Sequence, residues 1–143
     1  MDTSPTSRRS FLAACSVTLA ALLLRPAQAQ AAGAARPAAG PHPAPRAGIT
    51  GAKVLTAAQL SKTPDLIPLF DAVREVPEII DGIRCNCGCG ESQKLYSLLS
   101  CYEGDAMARA CTICQGQGRL ATRLHKLGRS LDEIRIAIDA KYA

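Results

Sequence analysis

The chain has 143 residues and a formal net charge of +5; it is 48% hydrophobic but only 3% aromatic, with seven cysteines and no tryptophan. Such a length holds one domain of ordinary size and leaves no room for a multidomain enzyme, and the lack of a basic patch interleaved with aromatics excludes a nucleic-acid reader. Aromatic rings carry much of a small core's buried area, so a chain poor in them and rich in cysteine draws part of its stability from a metal or from disulfides.

Residues 1–29 read as an address. Thr6-Ser7-Arg8-Arg9-Ser10-Phe11-Leu12 leads into an apolar run ending at Leu24, followed by Pro26-Ala27-Gln28-Ala29. A paired arginine, a short apolar stretch and an Ala-x-Ala end make an export signal. This segment resembles a twin-arginine signal, with Ala13 where that pattern has Lys. The run is shorter than the roughly 20 residues that span a bilayer. Cleavage is expected after Ala29, which places the mature protein in the periplasm. The alternative is lipidation at Cys15, because Leu12-Ala13-Ala14-Cys15 fits a lipobox; only then is the protein expected at a membrane. Against it, too few apolar residues separate the arginine pair from the cut. Loss of residues 1–29 removes three arginines and one aspartate, lowering the charge from +5 to +3, and leaves six cysteines.

Residues 30–48 are mostly Ala, Pro and Gly and predict a disordered, extended spacer, since they cannot bury enough surface to offset their ordering entropy. His42, between two prolines, is expected to be solvated. From residue 49 to 143 the pattern is helical, and the expected fold is all-α, with four to five helices and a Cys/Gly-rich loop. Thr56 and Gln59 suggest a capping box. Thr63-Pro64 predicts an N-cap and first position for a helix through Leu66, Leu69, Phe70 and Val73, its first turn distorted by Pro68. Pro77 opens a short helix stopped at Gly82. Leu95, Leu98, Leu99 and Tyr102 form a stripe that predicts a helix over 91–102. A long helix is expected over 105–127, weakened at Gly116 and Gly118, with His125 interacting with its C-terminal end or packing there. Ser130 and Glu133 form a capping box for a last helix carrying Leu131, Ile134 and Ile138.

The chemistry lies in Arg84-Cys85-Asn86-Cys87-Gly88-Cys89-Gly90, Cys101, and Cys111-Thr112-Ile113-Cys114. No Ser/His/Asp arrangement or phosphate loop accompanies them. On an extended strand, alternate thiols sit about 6.8 Å apart, too far for all three of the first run to share one small ion. Gly88 and Gly90 allow the backbone to fold so that the sulfurs converge. Disulfides within that run are disfavoured by tight geometry, so a disulfide framework would pair each with Cys101, Cys111 or Cys114. Cys111 and Cys114 share one face of the expected long helix. Placed inside a helix, the pair gains nothing from an N-terminal dipole, which argues against a thiol oxidoreductase and for two ligands of one metal. Met107 is expected in the core.

Soft thiolates select Cu(I), zinc or iron–sulfur clusters. Zinc or a four-cysteine iron–sulfur cluster leaves two of six cysteines over, whereas Cu(I) tolerates shared thiolates and can use all six. Six thiolates would take the mature +3 to −3, a charge that a few monovalent ions bring near neutral. Arg84, Lys94 and Arg109, close in sequence, are expected to favour the thiolate form.

These residues, from Pro77-Glu78 through the Cys85–Gly90 run, Leu95-Tyr96, Cys101-Tyr102 and Cys111/Cys114 to the tail Gly128–Tyr142, resemble the PCYCGC-motif proteins. Arg84 stands where that motif has Pro, and Asn86 where it has Tyr. The resemblance implies an exported, cysteine-centred domain without an established activity. The reading as a whole is a non-enzymatic, exported protein that stores, scavenges or delivers soft metal. Cu(I) is its expected cofactor, with zinc or an iron–sulfur cluster as alternatives. Cys85, Cys87, Cys89, Cys101, Cys111 and Cys114 are the expected ligands, and an exported metalloprotein or transporter the expected partner. The competing readings are a disulfide-stapled interaction module and, behind it, an iron–sulfur or thiol-redox protein.

Overall fold

A computed structural model describes residues 40–143; the expected export signal, the lipobox cysteine Cys15 and the first part of the spacer lie outside the described residues. A 3₁₀ turn, Pro64–Leu66, runs directly into α1 (Ile67–Glu75). Pro64 and Pro68 both fall where helical N–H groups have no intrahelical partner, so neither breaks a bond. Thr63 does not cap as expected: it makes no side-chain capping bond, and its buried Oγ1 has no partner. The Thr56/Gln59 pair makes half of a capping box, with the Thr56 N–H donating to Gln59 Oε1 at 2.9 Å, but only turns follow it. Pro77 opens α2 (Pro77–Asp81), which ends at Gly82 as expected.

The expected helix over 91–102 does not form. One turn, α3 (Cys89–Ser92), is followed by Lys94 in left-handed conformation (φ 54°) and a 3₁₀ segment, Leu99–Tyr102. Backbone groups there bond across the chain instead of along a helix: Leu98 N–H donates to Ile83 C=O at 2.7 Å and Leu95 N–H to Gly90 C=O at 3.1 Å. Leu98, Leu99 and Tyr102 are nonetheless fully enclosed. Their apolar stripe reported burial correctly and secondary structure wrongly.

The expected helix over 105–127 is also divided. Ala106 is left-handed (φ 42°), Met107–Arg109 is a 3₁₀ turn, and α4 (Thr112–Lys126) starts afresh with Cys111 as its N-cap. Gly116 and Gly118, expected to weaken the helix, instead admit neighbours. A Cβ at Gly118 would collide with the Tyr102 hydroxyl, and one at Gly116 with that of Tyr142. His125 is exposed in the last turn of α4, consistent with a favourable helix-end interaction. Gly128 (φ 75°) ends the helix: its N–H donates to His125 C=O, and Arg129 N–H to Leu124 C=O. Ser130 and Glu133 then form a complete capping box for α5 (Leu131–Tyr142), which packs on α4 and buries Ile134 and Ile138.

The core joins α1, α2, α4 and α5, with the Phe70 and Tyr102 rings edge-on at 4.9 Å. Among the described residues extended pairing is limited to one isolated bridge, Val54 with Glu103, so the fold is all-α. Among them, too, no helix is long and apolar enough to cross a membrane.

Residues 40–48, expected to close a solvated spacer, are extended but dock on the helical domain. The Asp81 carboxylate, wholly enclosed, accepts Arg46 N–H at 2.8 Å, Arg46 Nη2 at 2.7 Å and the Ser97 hydroxyl at 2.6 Å. The Arg46 guanidinium also lies 4.8 Å from the centre of the Tyr96 ring, whose hydroxyl donates to Ala44 C=O. Arg135 donates to Pro43 C=O at 2.8 Å. Local composition reads as spacer because the groups that dock this segment, Asp81, Tyr96 and Arg135, lie far along the chain.

Candidate metal centre

The loop joining α2 to α3 carries Cys85 and Cys87, and Cys89 opens α3. Gly88, at φ 83°, is in the left-handed region that favours glycine, and it turns the chain so that Cys85, Cys87 and Cys89 aim at one point. The N-terminal turn of α4 brings Cys114 to the same point. The sulfurs of Cys85, Cys87, Cys89 and Cys114 all lie within 4.8 Å of one another, a group able to hold a metal ion. Individual Sγ–Sγ separations are 2.8 Å for Cys87–Cys89, 3.3 Å for Cys85–Cys87, 3.4 Å for Cys85–Cys114, and 3.6 Å for both Cys85–Cys89 and Cys87–Cys114.

The other two expected ligands border this group. Cys101 is fully buried, with its sulfur 3.5 Å from that of Cys89. Cys111 is half-buried; its Sγ accepts Cys114 N–H at 3.5 Å and interacts with the thiols of Cys114 and Cys87. All six are free thiols. Met107 sits apart, its sulfur accepting from Gln93.

Cys111 and Cys114 lie at a helix start, not in mid-helix as the sequence suggested. They occupy the N-cap and the third helical position of α4, where backbone N–H groups point outward with positive character. No residue near Ala110 signals a stop; the break comes with the left-handed turn at Ala106.

Electrostatics follow from crowding. Cys85 is strongly acidified, chiefly because the Cys101 and Cys114 thiols donate to it, and these bonds outweigh its burial. Burial opposes ionisation at Cys111 too, but Cys114 N–H and neighbouring donors win, and its pKa falls. Burial and donation to Cys89 push Cys87 up. Donation to Cys101 and Cys85 holds Cys114 protonated. Cys101 is raised as well: its bond with Cys114 would lower it, but donation to the Cys85 thiolate, burial and the neighbouring thiolate charge together prevail. One negative charge at Cys85 therefore helps to suppress ionisation of Cys87, Cys101 and Cys114, since like charges at these separations repel strongly. The acidification of Cys85 comes from thiol and backbone donors, rather than from Arg84, Lys94 or Arg109 as expected.

A polar frame that sequence reasoning missed holds the loop from outside. Buried Gln117 accepts Asn86 N–H at 3.2 Å and donates to Arg84 C=O at 3.3 Å. His42, expected to be solvated, has a side chain only 13% exposed: Nδ1 accepts Arg84 N–H at 3.0 Å and Nε2 meets Asp139 at 3.0 Å. Asp139 also accepts from Asn86 Nδ2, while the buried Asn86 Oδ1 has no partner. Gln117, one turn past Cys114 on α4, was the detectable member of this frame. His42 and Asp139 are 97 residues apart and left no local signal. Between the loop and the docked segment a cavity of about 210 Å³ is lined by Pro41, Pro43, Cys85, Gly88 and Tyr96.

The gathered ligands are all sulfur, so the donor set fits soft ions and not hard ones. Tetrahedral thiolates 2.3 Å from a central ion stand about 3.8 Å apart, a few tenths of an ångström beyond most of the observed separations. The glycine-bearing loop can supply that expansion. Fold and site thus define a small helical protein built around a thiol centre able to hold a metal ion. Within that class, the chain belongs to the family described as protein of unknown function with PCYCGC motif, whose model matches residues 47–143. No curated protein and no solved structure matches it. At the first motif position, Arg84 has the N–H that binds His42; the proline of the motif's name has none.

Proposed function

We propose that this protein is an exported binder of soft metal, most simply Cu(I), that stores, scavenges or delivers the ion without catalysing a reaction. The carrying observation is the convergence of four sulfurs from two distant segments, with Cys101 and Cys111 at their border and no carboxylate or imidazole in the group. Cu(I) accepts two or three sulfurs and shared thiolates, so it can draw on all six. Bound cations would also lift the suppression of ionisation that Cys85 imposes on its neighbours. Export rests on residues 1–29, which imply a periplasmic site of action and an exported metalloprotein or transporter as recipient.

The division into four gathered sulfurs and two bordering ones favours a second reading, a four-thiolate centre holding zinc or an iron–sulfur cluster. Elemental analysis of the natively exported protein, with a count of reduced thiols, separates the two. Copper exceeding one equivalent supports Cu(I). One zinc, or iron with sulfide and a brown colour, supports the second. Three disulfides and no metal in copper-fed cells overturn both.

A further inference from the structure

We infer that Cys111 and Cys114 form a thiol–disulfide exchange pair, through which an organic disulfide withdraws a ligand from the centre and releases its ion. The release step rests on the metal reading above; the exchange pair does not. The two sulfurs differ in the way such chemistry requires. Cys111 is half-buried and reachable at the first turn of a 15-residue helix, where outward-facing N–H groups stabilise a thiolate, and its sulfur already accepts one of them from Cys114 at 3.5 Å. Cys114 is fully buried one turn behind it, sheltered from the solution but beside the sulfur it must attack. Cys87 is the other half-buried thiol, but its nearest sulfur, Cys89 at 2.8 Å, is only two residues away, so linking them closes a tight, strained ring.

The exchange balances as follows. The Cys111 thiolate attacks one sulfur of RS–SR, forming a mixed disulfide and expelling RS⁻. Cys114, giving its proton to that RS⁻, attacks the Cys111 sulfur and expels the second RS⁻, which takes a proton from water. The protein loses two electrons and gains one S–S bond; the disulfide gains the electrons and becomes two thiols. Cys114 Sγ lies 3.4 Å from that of Cys85 and 3.6 Å from that of Cys87, so joining it to Cys111 removes one of the four gathered donors. In the loaded centre Cys114 is already a thiolate, so no proton moves from it: one expelled RS⁻ takes over the ion, a soft ligand in place of Cys114, and the ion keeps its oxidation state. Reduction restores the centre.

Oxidised glutathione is the probe. Incubated with the reduced, metal-free exported protein, it is expected to cause a loss of about 2 Da, from one new S–S bond, mapped by peptide mass analysis to Cys111–Cys114. Cys114→Ser should stall as a glutathione adduct on Cys111, and Cys111→Ser, whose hydroxyl still caps α4, should react at least tenfold more slowly. A link at Cys87–Cys89 or Cys85–Cys114, or no reaction, overturns the pair. With Cu(I)-loaded protein the same treatment should send copper into the low-mass filtrate as the disulfide forms, but not in Cys111→Ser. Copper retained by the oxidised protein overturns the release step. Protein that takes up no Cu(I), yet forms the link, upholds the pair and overturns the Cu(I) reading and its release together.

Discussion

Asp81 and Cys85, four residues apart, show two ways a buried anion is held. Asp81 is desolvated, but bonds from Arg46 and Ser97 outweigh this and hold its pKa below the usual carboxylate range. A carboxylate acidified by folding stabilises the fold above its unfolded pKa of about 3.9 and loses that contribution as pH falls through its lower folded value. Arg46→Ala should therefore cost about 3 kcal/mol at pH 7, the low end for breaking a buried pair because Arg46 is itself partly exposed. Urea unfolding at pH 7 and at pH 2 tests it, and the deficit should shrink at the lower pH. Cys85 touches the three other gathered sulfurs, those of Cys87, Cys114 and Cys89. Cys85→Ser should reduce bound Cu(I) by at least one equivalent in a competitive titration, whereas His125→Ala should leave it unchanged. Sequence alone singled out six cysteines as candidates, because residue type and glycine spacing carry that signal, and the fold gathers four of them. Sequence reasoning missed Gln117, His42 and Asp139, whose roles exist only as contacts between distant segments.

At the scale of elements, the last capping box and the helix stops were legible, the Thr63 cap was not, and apolar periodicity misled over 91–102. Ser130 with Glu133, and Gly82 and Gly128 as stops, act through near neighbours, so their meaning survives in sequence. Ser130→Ala should cost about 1 kcal/mol in thermal or urea unfolding, the usual worth of an N-cap. The 91–102 stripe, by contrast, is buried along a path of turns whose hydrogen bonds reach other segments. Gly118 was read as a weakness but is a point of close approach. Gly118→Ala should displace the Tyr102 hydroxyl, which donates to Cys114 C=O at 2.7 Å, and cost about 1–3 kcal/mol as overpacking does. Because that hydroxyl braces the α4 end of the centre, metal affinity should fall with stability, a coupling that titration of the variant would reveal.

At the scale of the molecule, the docked segment extends the folded unit upstream of the boundary that composition suggested. A chain beginning at Ile49 leaves Asp81 without Arg46 and the cysteine loop without His42; one beginning at Gly40 keeps both. The shorter chain should melt several degrees lower, measured by circular dichroism, a shift expected when a small domain loses 1 kcal/mol or more. A ligand that binds only the folded state stabilises it by about 4 kcal/mol at a thousand times its Kd, so saturating metal should raise the melting temperature of both chains and chelation should reverse the gain.

From its residues alone the protein's helical class, its cysteine-centred chemistry and its helix stops could be read, because each depends on composition or on neighbours within a turn. The meeting of Cys85, Cys87 and Cys89 with Cys114, the placing of Cys111 at a helix start and the docking of residues 40–48 were decided by packing. Those features depend on which distant groups satisfy buried polar atoms, and local sequence does not encode that choice.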